Sequence, residues 1–132
     1  MPNGADYTPA QEELDAVLAF LPIFEQEGYT ATRPSASGWP IDKDEVVQFV
    51  QTLSRTRMVF PFDWPAWKEA RQLYDDPDLL AQADLLTLRK LFTTHIRTDR
   101  FNEGHLAHVI ENGHIAAMLH RLQVLRDVQA AG

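Results

Sequence analysis

Apolar positions recur along this chain at the 3.6-residue period of helices, in runs separated by proline, glycine and aspartate. Leu14, Val17, Leu18 and Leu21 form the first stripe, on a helix that begins at Thr8-Pro9 with Thr8 as cap and Gln11 returning the bond. Pro22 interrupts it. A proline inside a helix removes a hydrogen bond and clashes one turn back, at a cost of about 3 kcal/mol, so a kink or restart is expected there, with Gly28 as the stop. Val46, Phe49, Val50 and Leu53 mark a second helix, opened by Asp42 and Glu45 as a capping pair and ending near Arg57. Asp63-Trp64-Pro65 opens a third, with Trp67, Ala70, Arg71 and Tyr74 on one face. Asp75-Asp76-Pro77-Asp78 ends that helix and starts a short one through Leu80.

Asp84 and Thr87 then introduce the longest stripe so far, Leu88, Leu91, Phe92 and Ile96, running to about Thr98. Leu106, Val109 and Ile110 give a short helix over 103–112, and Ile115, Met118, Leu119, Leu122 and Leu125 the last, over 114–129. Residues 28–41 mix turn formers with β-branched residues and read as a long loop, and residues 1–7 as a flexible tail. Met58-Val59-Phe60 reads as an extended segment able to pair with residues 29–33. The expectation is a mainly α, single compact domain of five or six helices, with room for one short β pair from residues near 30 and 58.

At 132 residues and 15.0 kDa the chain fits one domain with one core, and 45% hydrophobic residues place it among ordinary globular sequences. A net charge of −7 disfavours nucleic acid and anionic membranes as partners. The absence of cysteine removes thiolate catalysis and every cysteine-based metal site. Ala16 to Phe24, the longest apolar run, is far short of the roughly 18 residues that cross a bilayer, and the N-terminus lacks a secretion signal. The expected location is the cytoplasm.

All five histidines, His95, His105, His108, His114 and His120, fall in the last third of the chain. Charge divides in the same place. Residues 1–75 hold twelve acids and six bases, a net of −6, and residues 89–126 hold six bases and three acids, a net of +3. An anion site is therefore a candidate, with Arg97, Arg100 and His105 meeting the start of the helix at Glu103-Gly104: arginine forks fit oxyanions and glycine lets a ligand approach the backbone. The competing reading pairs those arginines with Asp99, Glu103 or Glu111 at a structural corner, and it carries more weight.

Glu111 and His114 have the Glu-x-x-His spacing of di-iron bundles, but one copy is present where two are needed, and His105, His108 and Glu111 read as a solvated face before a zinc site. No metal or cofactor is expected. His95 or His105 as a general base with Glu103 lacks a nucleophile motif, and His95 borders the apolar stripe as core histidines do. Protonating all five histidines would take the charge from −7 to −2, which suits a pH sensor, but the reading of an incidental cluster carries more weight. Arg121, Gln123 and Arg126 on the last helix lack the basic arm that DNA recognition needs. The aromatic run from Phe60 to Trp67 pins a helix entry or, with Phe101, offers a contact surface of Trp64, Trp67 and Phe101. Gly104-His105-Leu106 and Gly113-His114-Ile115 echo each other but are too short to make a repeat.

Phe62-Asp63-Trp64, then Leu85-Leu86-Thr87-Leu88-Arg89-Lys90-Leu91, then Arg97-x-Asp99-Arg100-Phe101-x-Glu103-Gly104, and Glu111-x-Gly113 resemble a family of small bacterial proteins of uncharacterised function, over about Leu14 to Arg126. The resemblance implies a compact, mostly helical domain and brings no activity or substrate. In that pattern the D-R-F-x-E-G string is shared more widely than the histidine after it, which shifts attention from His105 to Arg100, Phe101, Glu103 and Gly104. The leading expectation is a non-enzymatic binding or protein-interaction module, paired as a homodimer. The alternative is an enzyme or sensor that takes a phosphorylated or nucleotide-like small anion at the Arg97, Arg100 and His105 corner.

Overall fold

The computed structural model describes residues 4–132, which form eight α-helical segments, two of them single turns, and one two-stranded sheet. Helix α1 (Gln11–Leu18) turns Leu14, Val17 and Leu18 inward. Ala10 holds its cap position in place of the expected Thr8, because Glu13 folds back to accept the Ala10 N–H at 2.9 Å and also takes the Tyr7 hydroxyl. The chain leaves the helix after Leu18 and restarts as α2 (Leu21–Phe24), with Pro22 in the first turn, where a missing N–H removes nothing.

The sheet has one strand near residue 30, as expected, but a different partner from residues 58–60. Strands β1 (Thr32–Pro34) and β2 (Pro40–Asp42) pair antiparallel inside the stretch expected to be loop, with Thr32 opposite Asp42 and Arg33 opposite Ile41. Gly38, at φ +86, supplies the left-handed residue the tight connection needs. This hairpin closes a much shorter loop than a pairing of residues 30 and 58 would. Residues 58–60 are already committed: Val59 N–H donates to Leu53 O at 3.1 Å and Phe60 N–H to Thr93 Oγ1 at 3.1 Å. Asp42, expected to cap a helix, is thus a strand residue, and α3 (Asp44–Arg55) starts after Lys43 and buries Val46, Phe49 and Leu53.

A 3-10 turn at Trp64–Ala66 precedes α4 (Glu69–Asp75) and the single-turn α5 (Pro77–Leu80), whose amides Asp76 caps. Helix α6 (Leu85–Phe101) is capped by Asp84, which accepts the Thr87 N–H at 2.8 Å, and continues three residues past the expected end at Thr98. Helices α7 (His105–Glu111) and α8 (His114–Ala131) each follow a glycine at φ +90, Gly104 and Gly113. Other residues are strained in that region by roughly 1–2 kcal/mol.

Helix α8 packs against α1, α2, α5, α6 and α7 and buries Ile115, Met118, Leu119 and Leu122 in the one continuous core. On the far side Phe20, Phe24, Phe49 and Phe92 interlock, with Phe24 and Phe49 edge to face at 5.0 Å. The largest fully buried side chain is cationic. Arg89, 1% exposed, donates to the carbonyls of Gly4 at 2.8 Å, Tyr7 at 2.9 Å, Ala5 at 3.2 Å and Arg57 at 2.9 Å, and lies 4.5 Å over the Phe60 ring. Residues 4–7, the described part of the expected tail, are thereby tied to the middle of α6. Residues 1–3 lie outside the described residues.

Candidate functional site

The extra turn of α6 decides where the expected anion-binding residues go. Asp99, one turn from its end, accepts the Leu106 N–H at 2.9 Å, so a carboxylate of the chain itself occupies the start of α7. Glu103 and Gly104 line a cleft of about 410 Å³ together with Trp39, Ile41, Asp42 and Asp99. Three carboxylates bound this cleft. Burial, followed by repulsion from Asp99 and Glu103, raises the Asp42 carboxyl above its ordinary value. Arg97 and Arg100 line an adjoining groove of about 290 Å³ against Val47, Val50 and Ser54 of α3, which shares Asp42 and Asp99 with the first. His105 belongs to neither hollow and lines a third, beside α4. The five residues expected around one anion are therefore distributed over three hollows, and the one at Gly104 is acidic.

The aromatic residues divide as well. Phe101 is 82% exposed, and its ring centroid lies 6.2 Å from that of Trp64. Trp67 is half-buried instead, edge-on to Phe62 at 6.0 Å with the Lys90 ammonium 5.9 Å from its ring, and belongs to the packing. Trp39 joins the exposed group. It is 62% exposed on the hairpin, and its indole N–H donates to Glu103 Oε1 at 3.3 Å. Sequence reasoning passed over it, although a tryptophan in a stretch of glycine, proline and serine has no apolar stripe to join. Arg97 and Arg100 make no hydrogen bond or ion pair among the described residues, so unpaired guanidinium groups and carboxylates stand side by side around the exposed rings.

The histidines assemble on another face of α6. His95, 5% exposed, shares a 2.9 Å hydrogen bond from its Nδ1 to Nε2 of His105, the two rings stacked at 5.1 Å. His114, 8% exposed, meets His95 edge-on at 4.9 Å and the Tyr74 ring at 4.7 Å. Asn112 fixes both partners: its amide donates to the Tyr74 oxygen at 2.6 Å, and its Oδ1 accepts the His114 N–H at 3.0 Å. Burial pushes His95 down to about 3, with repulsion from His114 and His105 adding to it, and His114 down to about 4, with His105 adding. His105 is lowered by burial against the pull of Asp99, with His108 also lowering it. Nε2 of His95 and Nε2 of His114 are buried without a hydrogen-bond partner.

The two glycine-histidine tripeptides explain the assembly. Each glycine turns the chain in the left-handed region and delivers the following histidine, His105 or His114, against His95. Glu111 and His114 part company: Glu111 Oε2 accepts the Ala31 N–H at 2.9 Å and pins the loop before β1, while His114 turns into the histidine cluster. Among the described residues no group of three or more histidine, aspartate or glutamate side chains is placed to hold a metal ion. His108 is exposed, and His120 pairs with Glu25 at 3.0 Å.

This layout is that of a small helical domain built around one core, with its polar chemistry at the helix junctions rather than in a single deep cavity. The model of a Family of unknown function (DUF6508) matches residues 9–128, and the chain belongs to that family. No curated protein and no solved structure matches the chain. No helix of the described residues is long and apolar enough to cross a membrane.

Proposed function

We propose that this domain is a non-enzymatic interaction module that pairs with a second copy of itself through the end of α6 and the adjoining hairpin. The observation that carries this reading is the exposure of two large aromatic side chains, Phe101 at 82% and Trp39 at 62%, within two residues of the same corner through the Trp39–Glu103 bond. Clustered exposed aromatic surface of this kind marks interaction sites, and aromatic residues anchor interfaces. The charges suit a two-fold arrangement, in which one patch must complement itself. Arg97 and Arg100 on one copy, whose guanidinium groups have no partner among the described residues, can face Asp42, Asp99 and Glu103 on the other.

Sedimentation equilibrium tests this. A reversible dimer in the micromolar range is expected for the unaltered chain. Phe101→Glu should weaken it about 100-fold, equivalent to roughly 2.7 kcal/mol for a lost aromatic anchor. Because Phe101 contributes nothing to the core, the variant should keep its thermal midpoint. A chain that stays monomeric at high concentration, or a dimer indifferent to Phe101→Glu, would overturn the reading.

A further inference from the structure

A cleft of about 550 Å³ opens between α4 and α6, lined by Arg71, Tyr74, Thr94, His95, Thr98 and His105. It shares no lining residue with the two hollows at the aromatic corner. Its size is that of a small-molecule pocket. Its composition is unlike the rest of the surface. In a chain with nineteen acidic residues no carboxylate lines it, whereas hydrogen-bond donors are plentiful. Arg71 engages Asp75 through Nε alone, at 2.9 Å, which leaves its terminal nitrogens free. The Thr98 hydroxyl makes no hydrogen bond among the described residues, and Tyr74 accepts from Asn112 while keeping its own hydrogen to donate.

The histidine pair points the same way. One proton is shared between His95 Nδ1 and His105 Nε2, so each ring has a second nitrogen to satisfy, and that of His95 is buried with no partner. That nitrogen has almost no exposed surface, so a ligand in the cleft meets the pair through the half-buried His105 ring. We propose that this cleft binds a small organic anion, its carboxylate or phosphate group held by Arg71, Thr98 and the His95–His105 pair and its body lying against the Tyr74 ring.

Binding should draw in a proton. The groups around the pair are Arg71 and Tyr74 on α4, Asp99 on α6, His108 on α7 and His114 at the start of α8. Asp99 favours a charged His105, while His108 opposes it, and His114 opposes charge on His95. An anion in the cleft supplies the missing counter-charge, so the pair becomes an imidazolium as the ligand enters. Affinity then rises as pH falls, by up to about tenfold per pH unit for one proton taken up.

Calorimetric titration with sodium sulfate and with sodium benzoate, at about pH 7.5 and about pH 5.5 and constant ionic strength, tests the proposal, since neither probe titrates in that range. Saturable binding at one site is expected for at least one probe, about 10- to 100-fold tighter at the lower pH. The ring nitrogens of His95 and His105 should shift in proton–nitrogen correlation spectra. Preference for benzoate assigns a planar carboxylate and preference for sulfate a phosphate-like group. Arg71→Gln and Thr98→Val, both outside the core, should each weaken binding about tenfold without moving the thermal midpoint. Absence of binding by both probes overturns the proposal. So does binding that ignores both substitutions or pH, and so does saturable binding of zinc chloride but of neither anion. The dimer's fate decides none of these outcomes, because the cleft shares no residue with the pairing face.

Discussion

Arg89 is the residue on which the packing turns most sharply. A guanidinium withdrawn from water normally needs a carboxylate, yet here four backbone carbonyls and an aromatic face satisfy it, and no ion pair forms among the described residues. One of those carbonyls belongs to Arg57, held at φ +60, where a side-chain-bearing residue is strained. Arg89→Met keeps the length and much of the stem but strands the acceptors on Gly4, Ala5, Tyr7 and Arg57. We predict a loss of about 3 kcal/mol or more in urea unfolding, and a loss below about 1 kcal/mol would mean that water replaces the clamp. Nothing local announces this arginine. It follows Leu88 in an amphipathic helix, where a cation ordinarily faces solvent, and its acceptors lie 32 and 82 to 85 positions upstream.

At the scale of elements, α7 is seven residues long and enclosed by two left-handed glycines. No atom lies within 4 Å of where a side chain at Gly113 would begin, so the cost of a substitution there is conformational alone. Gly113→Ala is therefore expected to destabilise the domain by about 1–2 kcal/mol and to loosen the His95–His114 contact. Denaturant titration would read the first effect, and altered histidine ring shifts the second. The helices themselves were legible, because Leu14 to Leu21, Val46 to Leu53 and Ile115 to Leu122 repeat at helical spacing and each buries that stripe. The hairpin was not. Thr32 and Ile41 are β-formers too few to outvote the glycines, prolines and serines around them, and the tight turn, with Gly38 in the left-handed region, favours a local partner over a distant one. The candidate sites divide similarly. The abundance of histidine after residue 94 was visible, but which three would meet depends on the direction each glycine sends the chain. Likewise, the end of α6, one turn later than periodicity implied, moved Arg97 and Arg100 away from His105.

For the whole molecule, the buried histidines set a pH limit. His95 and His114 titrate at about 3 and about 4 in the folded chain, against 6.5 when exposed. As pH falls below 6.5 the unfolded chain takes up these two protons and the folded chain does not, so protonation favours unfolding. Stability is fully present above 6.5 and is lost from there down to about 4 for His114 and about 3 for His95, at about 1.4 kcal/mol per pH unit for each group. Glu13, Asp15 and Asp84, whose carboxyls are lowered chiefly by side-chain hydrogen bonds from Tyr7, Arg126 and Thr87, lose their contribution only at more acidic pH. Above pH 4.5 the histidines therefore act alone. Urea midpoints measured from about pH 7.5 to about pH 4.5 should fall along this slope, and His114→Phe should halve it while preserving the ring against Tyr74. A flat profile down to about pH 5 would show that the histidines are hydrated.

The clamp at Arg89 also has a kinetic meaning. Joining segments 82 to 85 residues apart requires closing a long loop, and contacts of that kind form late on the route to the native state. Interactions absent from the transition state leave the speed of folding almost untouched and act on the rate of escape from the finished structure. The buried guanidinium thus serves as a latch on the domain's lifetime, and most of what Arg89→Met forfeits should surface as faster unfolding.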